Sequence, residues 1–135
     1  MADEWQLVYE KEIPINFFCA DGTSILKGTL LKLTDPMTVA PSNAANDIIG
    51  GVAAQDKIAN DGRTKIAVYR EGIFKAKIAS GNTIVVGDPL VTASASNQVA
   101  LAAVGAEKIL GIALESGLAG ETILVELRPT TMQLA

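Results

Sequence analysis

Ala20-Asp21-Gly22-Thr23-Ser24-Ile25-Leu26-Lys27-Gly28-Thr29-Leu30-Leu31 recurs 59 residues later, without a gap, as Ala79-Ser80-Gly81-Asn82-Thr83-Ile84-Val85-Val86-Gly87-Asp88-Pro89-Leu90. Ala, two Gly, Ile and Leu coincide. Each copy reads as a turn (Asp21-Gly22; Ser80-Gly81), a short apolar strand, and a second glycine that lets the backbone bend sharply before the next strand. Gly28 and Gly87 are therefore expected to be backbone positions and not ligand loops. Weaker echoes follow, Ile48-Ile49-Gly50 with Ile109-Leu110-Gly111 and Gly62-Arg63-Thr64-Lys65-Ile66 with Gly120-Glu121-Thr122-Ile123-Leu124. The pattern predicts two related β units, about 15–75 and 76–130. A unit of roughly 60 residues is marginal alone, so the two are expected to share one core in a single β domain, 15–135, behind an N-terminal arm or edge strand, 1–14.

The rest of the chain also alternates. From Trp5 to Ile13 the apolar residues Trp5, Leu7, Tyr9 and Ile13 hold odd positions and Gln6, Glu10 and Glu12 even ones, the period-two signature of a half-buried strand that Pro14 ends or confines to an edge. The same pattern runs through Thr64 to Arg70, Gly72 to Ile78 and Glu121 to Arg128. Ser42 to Asp47 could form one helical turn, and Val99 to Lys108 is Ala-rich but interrupted by Gly105; both are read as strand and loop. Short strands between Gly, Asn and Asp turns predict an all-β fold, a small barrel or a sandwich.

Composition narrows the function. The 135 residues carry a net charge of −4, and the eleven Lys and Arg are scattered singly, so no basic stripe exists for nucleic acid. No apolar run approaches the roughly 18 residues of a membrane span, and the acidic start, with Asp3, Glu4, Glu10 and Glu12, is unlike a signal peptide. A cytoplasmic site of synthesis is expected. One cysteine, Cys19, allows no internal disulfide, and no Asn-x-Ser/Thr acceptor occurs.

The chain has no histidine, which removes the usual general base, the commonest metal ligand and any Ser-His or Cys-His pair. Cys19, in Phe17-Phe18-Cys19-Ala20, has no basic neighbour to activate it and reads as a core residue. Lys27-Gly28-Thr29 inverts the Gly-Lys-Thr of a phosphate loop. Glu10 and Glu12 fit a solvated strand face better than a glycosidase pair. Asp21, Asp47, Asp56, Asp61 and Asp88 lie in or near turns without calcium-loop spacing. No catalytic, cofactor or metal site is expected. Trp5, Leu7 and Tyr9, with two of the chain's six aromatics, form a stripe that either packs on its own core or meets another subunit, and the uncharged tail Pro129 to Ala135 is expected to dock.

One ordered succession adds to this. Ile84-Val85-Val86-Gly87-Asp88-Pro89-Leu90, then Ile109-Leu110-Gly111-Ile112-Ala113-Leu114-Glu115, then Gly120-Glu121-Thr122-Ile123-Leu124-Val125-Glu126-Leu127 resembles the tailed-phage capsid decoration, or head cement, proteins. Their pattern is I-x-x-G-D-x-(L/V), (I/L)-(L/I)-G-x-A-(L/x)-E and a closing G-x-x-x-(I/L)-x-V-x-L. The likeness spans about residues 8 to 128; Trp5 to Tyr9 and Asp35 to Asp47 match no landmark of that family. It implies a non-enzymatic β protein, often a homotrimer, that binds the major capsid protein on the outer surface of the virion, with no cofactor. The contact is then expected at Trp5, Leu7 and Tyr9. Two alternatives stay open: a trimeric all-β nucleotide hydrolase, for which Asp61 to Thr64 is the nearest likeness, and a glycan or host-surface module using Trp5, Tyr9 and Tyr69.

Overall fold

The structure, a computed structural model, describes residues 3–102 and 105–134. Thirteen strands follow in order: β1 (Gln6–Glu10), β2 (Ile15–Cys19), β3 (Leu30–Asp35), β4 (Thr38–Pro41), β5 (Ile49–Ala53), β6 (Lys65–Tyr69), β7 (Gly72–Ile78), β8 (Thr83–Ile84), β9 (Pro89–Thr92), β10 (Gln98–Leu101), β11 (Gly105–Ala113), β12 (Gly117–Leu118) and β13 (Thr122–Leu134). Ser42 to Asp47 is a loop, and the described part of Val99 to Lys108 is strand; Ala103 and Val104 lie outside the described residues. The fold is all-β, and barrel wins over sandwich.

Two five-stranded rings close. The first runs β2-β4-β3-β5-β6, and the second runs β7-β10-β9-β11-β13, sealed by the pairing of β13 back onto β7. Both have the same connectivity: β2–β4 and β7–β10 are parallel, and every other pairing in the two rings is antiparallel. An isolated bridge, Ile25↔Lys57, stands in the first barrel where the β8–β12 pair, Ile84↔Gly117, stands in the second.

The 59-residue match is reproduced bond for bond. Thr23 N–H donates to Ala20 O and Asn82 N–H to Ala79 O, both at 3.3 Å; Thr29 N–H donates to Leu26 O and Asp88 N–H to Val85 O, both at 3.0 Å. Gly28 and Gly87, third residues of these tight turns, have φ of +92° and +90°, the left-handed conformation that excludes most side chains. Ile25 and Ile84, and Leu31 and Leu90, are all buried.

The weaker echoes slip by one residue. Leu31 pairs with Gly51, and its counterpart Leu90 with Gly111, so Gly51 and not Gly50 is the equivalent of Gly111. Phe17 pairs with Ile66 and Ala76 with Ile123, which makes Ile66 the equivalent of Ile123, not of Leu124. A one-residue slip exchanges the faces of a strand, and only the ladder reveals it. The crossover between barrels falls at Arg70-Glu71, a few residues before the expected 75/76 boundary, because all of β7 pairs within the second ring and with β1.

One apolar cluster, Phe17, Cys19, Ile25, Leu31, Val39, Ala53, Ile66 and Val68, fills the first barrel. The other, centred on Phe74, Ile78, Leu90, Val99, Leu110 and Val125, takes Leu30, Ile49 and Val52 from the first barrel's outer face. Consecutive residues such as Leu30 and Leu31 therefore serve different cores, and β5, buried along its length, lies between them. Its glycines follow: a Cβ on Gly50 would come within 2.7 Å of Val39 Cγ1, and one on Gly51 would overlap the Tyr69 carbonyl oxygen. Polar bonds join the barrels too. Asp47 N–H donates to Thr92 Oγ1 at 2.8 Å, and Arg70 Nη1 donates to the carbonyls of Ile49 and Gly50 at 3.0 and 2.9 Å.

Candidate functional site

The N-terminal arm does not present one continuous stripe. β1 pairs antiparallel with β7, Leu7 opposite Phe74 and Tyr9 opposite Ile73, with a bulge between them. Two residues of β1 advance against one of β7, so Tyr9 turns onto the face opposite Leu7. Trp5 is 4% exposed: its ring lies 5.5 Å from that of Phe74, and its indole N–H donates to Asn97 O at 3.0 Å. Leu7 is 37% exposed over Gly72, whereas Tyr9 is 65% and Ile13 83% exposed. Of Trp5, Leu7 and Tyr9, the last two remain accessible to a partner. The arm is clasped at its end by Lys11, whose Nζ lies 2.6 Å from Glu126 and 3.5 Å from Glu71. The described backbone of the tail continues β13 to Leu134 along β11 and does not dangle.

The turn aspartates are occupied by structural work. Asp47 Oδ2 accepts Ser42 Oγ–H and the backbone N–H groups of Asn43 and Ala44, closing Ser42 to Asp47 as a loop and not a helical turn. Asp56 Oδ1 accepts Lys27 N–H, and Asp88 Oδ2 accepts Val85 N–H. Asp21 and Asp61 converge on a buried cation: Lys57 Nζ, 3.3 Å from Asp21 Oδ1 and 3.1 Å from Asp61 Oδ1, also donates to the carbonyls of Asp21 and Ile58. Burial pulls the Lys57 pKa down, but the hydrogen bonds and charges of Asp61 and Asp21 outweigh it and leave it raised. The Asp61 carboxyl is lowered, first by the Arg63 backbone N–H. The acid of Asp61 to Thr64 thus turns inward to a lysine.

No reasoning from sequence finds Lys57, since its equivalent in the second unit is Gly117, against Ile78 and Ile123. Cys19 is buried, and desolvation raises its thiol pKa despite the Lys57 and Arg63 charges. Tyr69 packs edge-on against Phe74 instead of forming a platform with Tyr9, and burial and then Glu10 raise its pKa. Among the described residues, no group of three or more Cys, Asp or Glu side chains is placed to hold a metal ion.

What the surface offers is apolar and distributed: Tyr9 and Ile13 on the arm, Phe18 and Met37 outside the first barrel, Val85, Val86 and Leu118 at the ribbon of the second. An open groove of about 400 Å³ lies beside the crossover, lined by Arg70, Glu71, Ile112, Arg128 and Pro129 among others. Residues 9–129 match the family described as phage cement protein. The chain belongs to that family. It is a structural protein of the phage capsid, and binding to the capsid is its role. The crystal structure of the head fiber gp8.5 N base in bacteriophage phi29 has the same fold, with a TM-score of 0.55 and 17% identity over 89% of this chain and 97% of that one. No curated protein matches this cement protein in sequence.

Proposed function

We propose that this cement protein sits on the outer surface of the head as a homotrimer, braces neighbouring major capsid subunits and carries no catalytic activity. Made in the host cytoplasm, it joins the shell through contacts that include Leu7 and Tyr9. The observation that carries this reading is the arm: Tyr9 on β1 and Ile13 beyond it project into solvent, while Trp5, just before β1, is locked in the core. Such an anchor is preorganised, so little ordering entropy is lost on binding. Three copies of a modest contact then engage at high effective concentration once the first is seated. The inward orientation of Asp21 and Asp61 onto Lys57 favours this reading over the nucleotide hydrolase.

Mixing the purified protein with undecorated shells tests it directly. Threefold-symmetric external density is expected, with Leu7→Ser/Tyr9→Ser weakening attachment while leaving thermal stability near wild type. Internal density, or undiminished binding by that variant, would count against the reading. A Mg²⁺-nucleotide hydrolysis assay is expected to give no turnover.

A further inference from the structure

We infer that the groove at the crossover receives an acidic peptide segment of the capsid protein; this rests on the capsid-binding reading above. The groove continues into a second hollow of about 140 Å³ that shares Arg70, Ile109 and Pro129 and adds Ile48 and Lys108. Its lining is apolar at Ile109, Ile112 and Pro129 and charged at Arg70, Lys108, Arg128 and Glu71, three cations against one carboxylate.

The positive charge of that lining is only partly neutralised. The two nearby carboxylates, Glu71 and Glu126, are both engaged by Lys11. Arg128 reaches Glu126 only at 3.9 Å, and among the described residues neither Arg70 nor Lys108 is paired with a carboxylate. Arg70 uses Nη1 to hold the carbonyls of Ile49 and Gly50, which fixes the guanidinium at the groove wall. A cluster of under-neutralised cations on a chain of net charge −4 is a local inversion of sign. A lining that is part apolar and part cationic complements a segment that alternates carboxylate and apolar side chains, and Arg forks bind carboxylates bidentately.

The test compares wild type, Lys108→Glu/Arg128→Glu and a charge-matched control outside the groove, Lys27→Glu/Lys75→Glu, on undecorated shells at two salt concentrations. The groove variant is expected to bind about tenfold or more weakly and to lose most of the salt dependence, while the control stays near wild type. Equal loss in both variants, or none in the groove variant, overturns the inference while leaving capsid binding intact. Failure of wild type itself to bind overturns the capsid reading and this inference with it. Poly-L-glutamate should compete for the shell; competition by a short oligonucleotide alone would replace the peptide by nucleic acid and reject the proposal. Should the reversals unfold the protein, Lys108→Ala and Arg128→Ala carry the same comparison.

Discussion

The side-chain oxygen of Asn97 accepts the backbone N–H of Leu30 at 2.8 Å, so a turn of the second barrel closes the first residue of a strand in the first. The carbonyl of the same residue accepts the Trp5 indole. Asn97 is buried and has a φ of +65°, a conformation in which Asn is among the few tolerated residues. One residue thus joins the arm and both barrels.

Asn97→Ala leaves a buried N–H unsatisfied and puts Ala in a left-handed conformation that Asn tolerates better. A loss of about 2–4 kcal/mol is expected by denaturant titration. Asn97→Gly relieves the backbone but not the missing acceptor, and should recover only part of it.

Trp5→Ala removes a large side chain from the second barrel's core and should cost about 3–5 kcal/mol. Trp5→Phe keeps much of the apolar contact with Phe74 and loses the bond to Asn97, so its deficit should be smaller. Deleting residues 1–13 would therefore lower thermal stability as well as attachment, and only point changes at Leu7 and Tyr9 separate the two.

The Lys57 cluster contributes to both limbs of the pH profile. Asp61 has a lowered folded pKa, so its contribution is present above the ordinary carboxyl value near 3.8 and is lost as pH falls through the folded value. Lys57 has a raised folded pKa, so its contribution is complete below 10.5 and is lost as pH rises through the folded value. This cluster's contribution should be level between these limits, while Cys19 and Tyr69, whose folded pKa values are raised from 9.0 and 10.0, add their own loss above those values. Lys57→Met should flatten the alkaline limb, and Asp61→Asn the acid one; unchanged limbs in melting curves would refute the assignment.

A Cβ at Gly111 would overlap the Glu126 carbonyl oxygen, a backbone atom that cannot swing aside. Gly111→Ala should destabilise by about 3 kcal/mol. Gly81 has open space around it and a φ of +81°, so Gly81→Ala should cost only the conformational penalty of about 1–2 kcal/mol.

Cys19 should resist a thiol reagent in the native state and react at once in denaturant, since the thiol is buried and desolvation raises its pKa. Native labelling at the rate of a free peptide thiol would contradict the first barrel's packing.

Turns and strands were largely legible. Local chemistry dictates them: a glycine at a left-handed position and an alternation of apolar residues need no distant partner, and the match of Ala20 to Leu31 with Ala79 to Leu90 marks the same turns in both units. The arm was legible as a strand but not in its facing, because the bulge after Leu7 is set by pairing with β7. The cation cluster was hidden for a similar reason: Arg70, Lys108 and Arg128 are far apart in sequence and meet only beside the crossover.

The sequence by itself determined an all-β chain with a repeated unit and a family of capsid-binding proteins, because period, turn residues and motif order are properties of neighbouring positions. Tertiary structure alone decided that the rings close as barrels, that Leu30 and Leu31 serve separate cores, and that Trp5 points inward while Tyr9 points out. Those outcomes depend on ladder register across long sequence separations, where a shift of one residue exchanges buried for exposed.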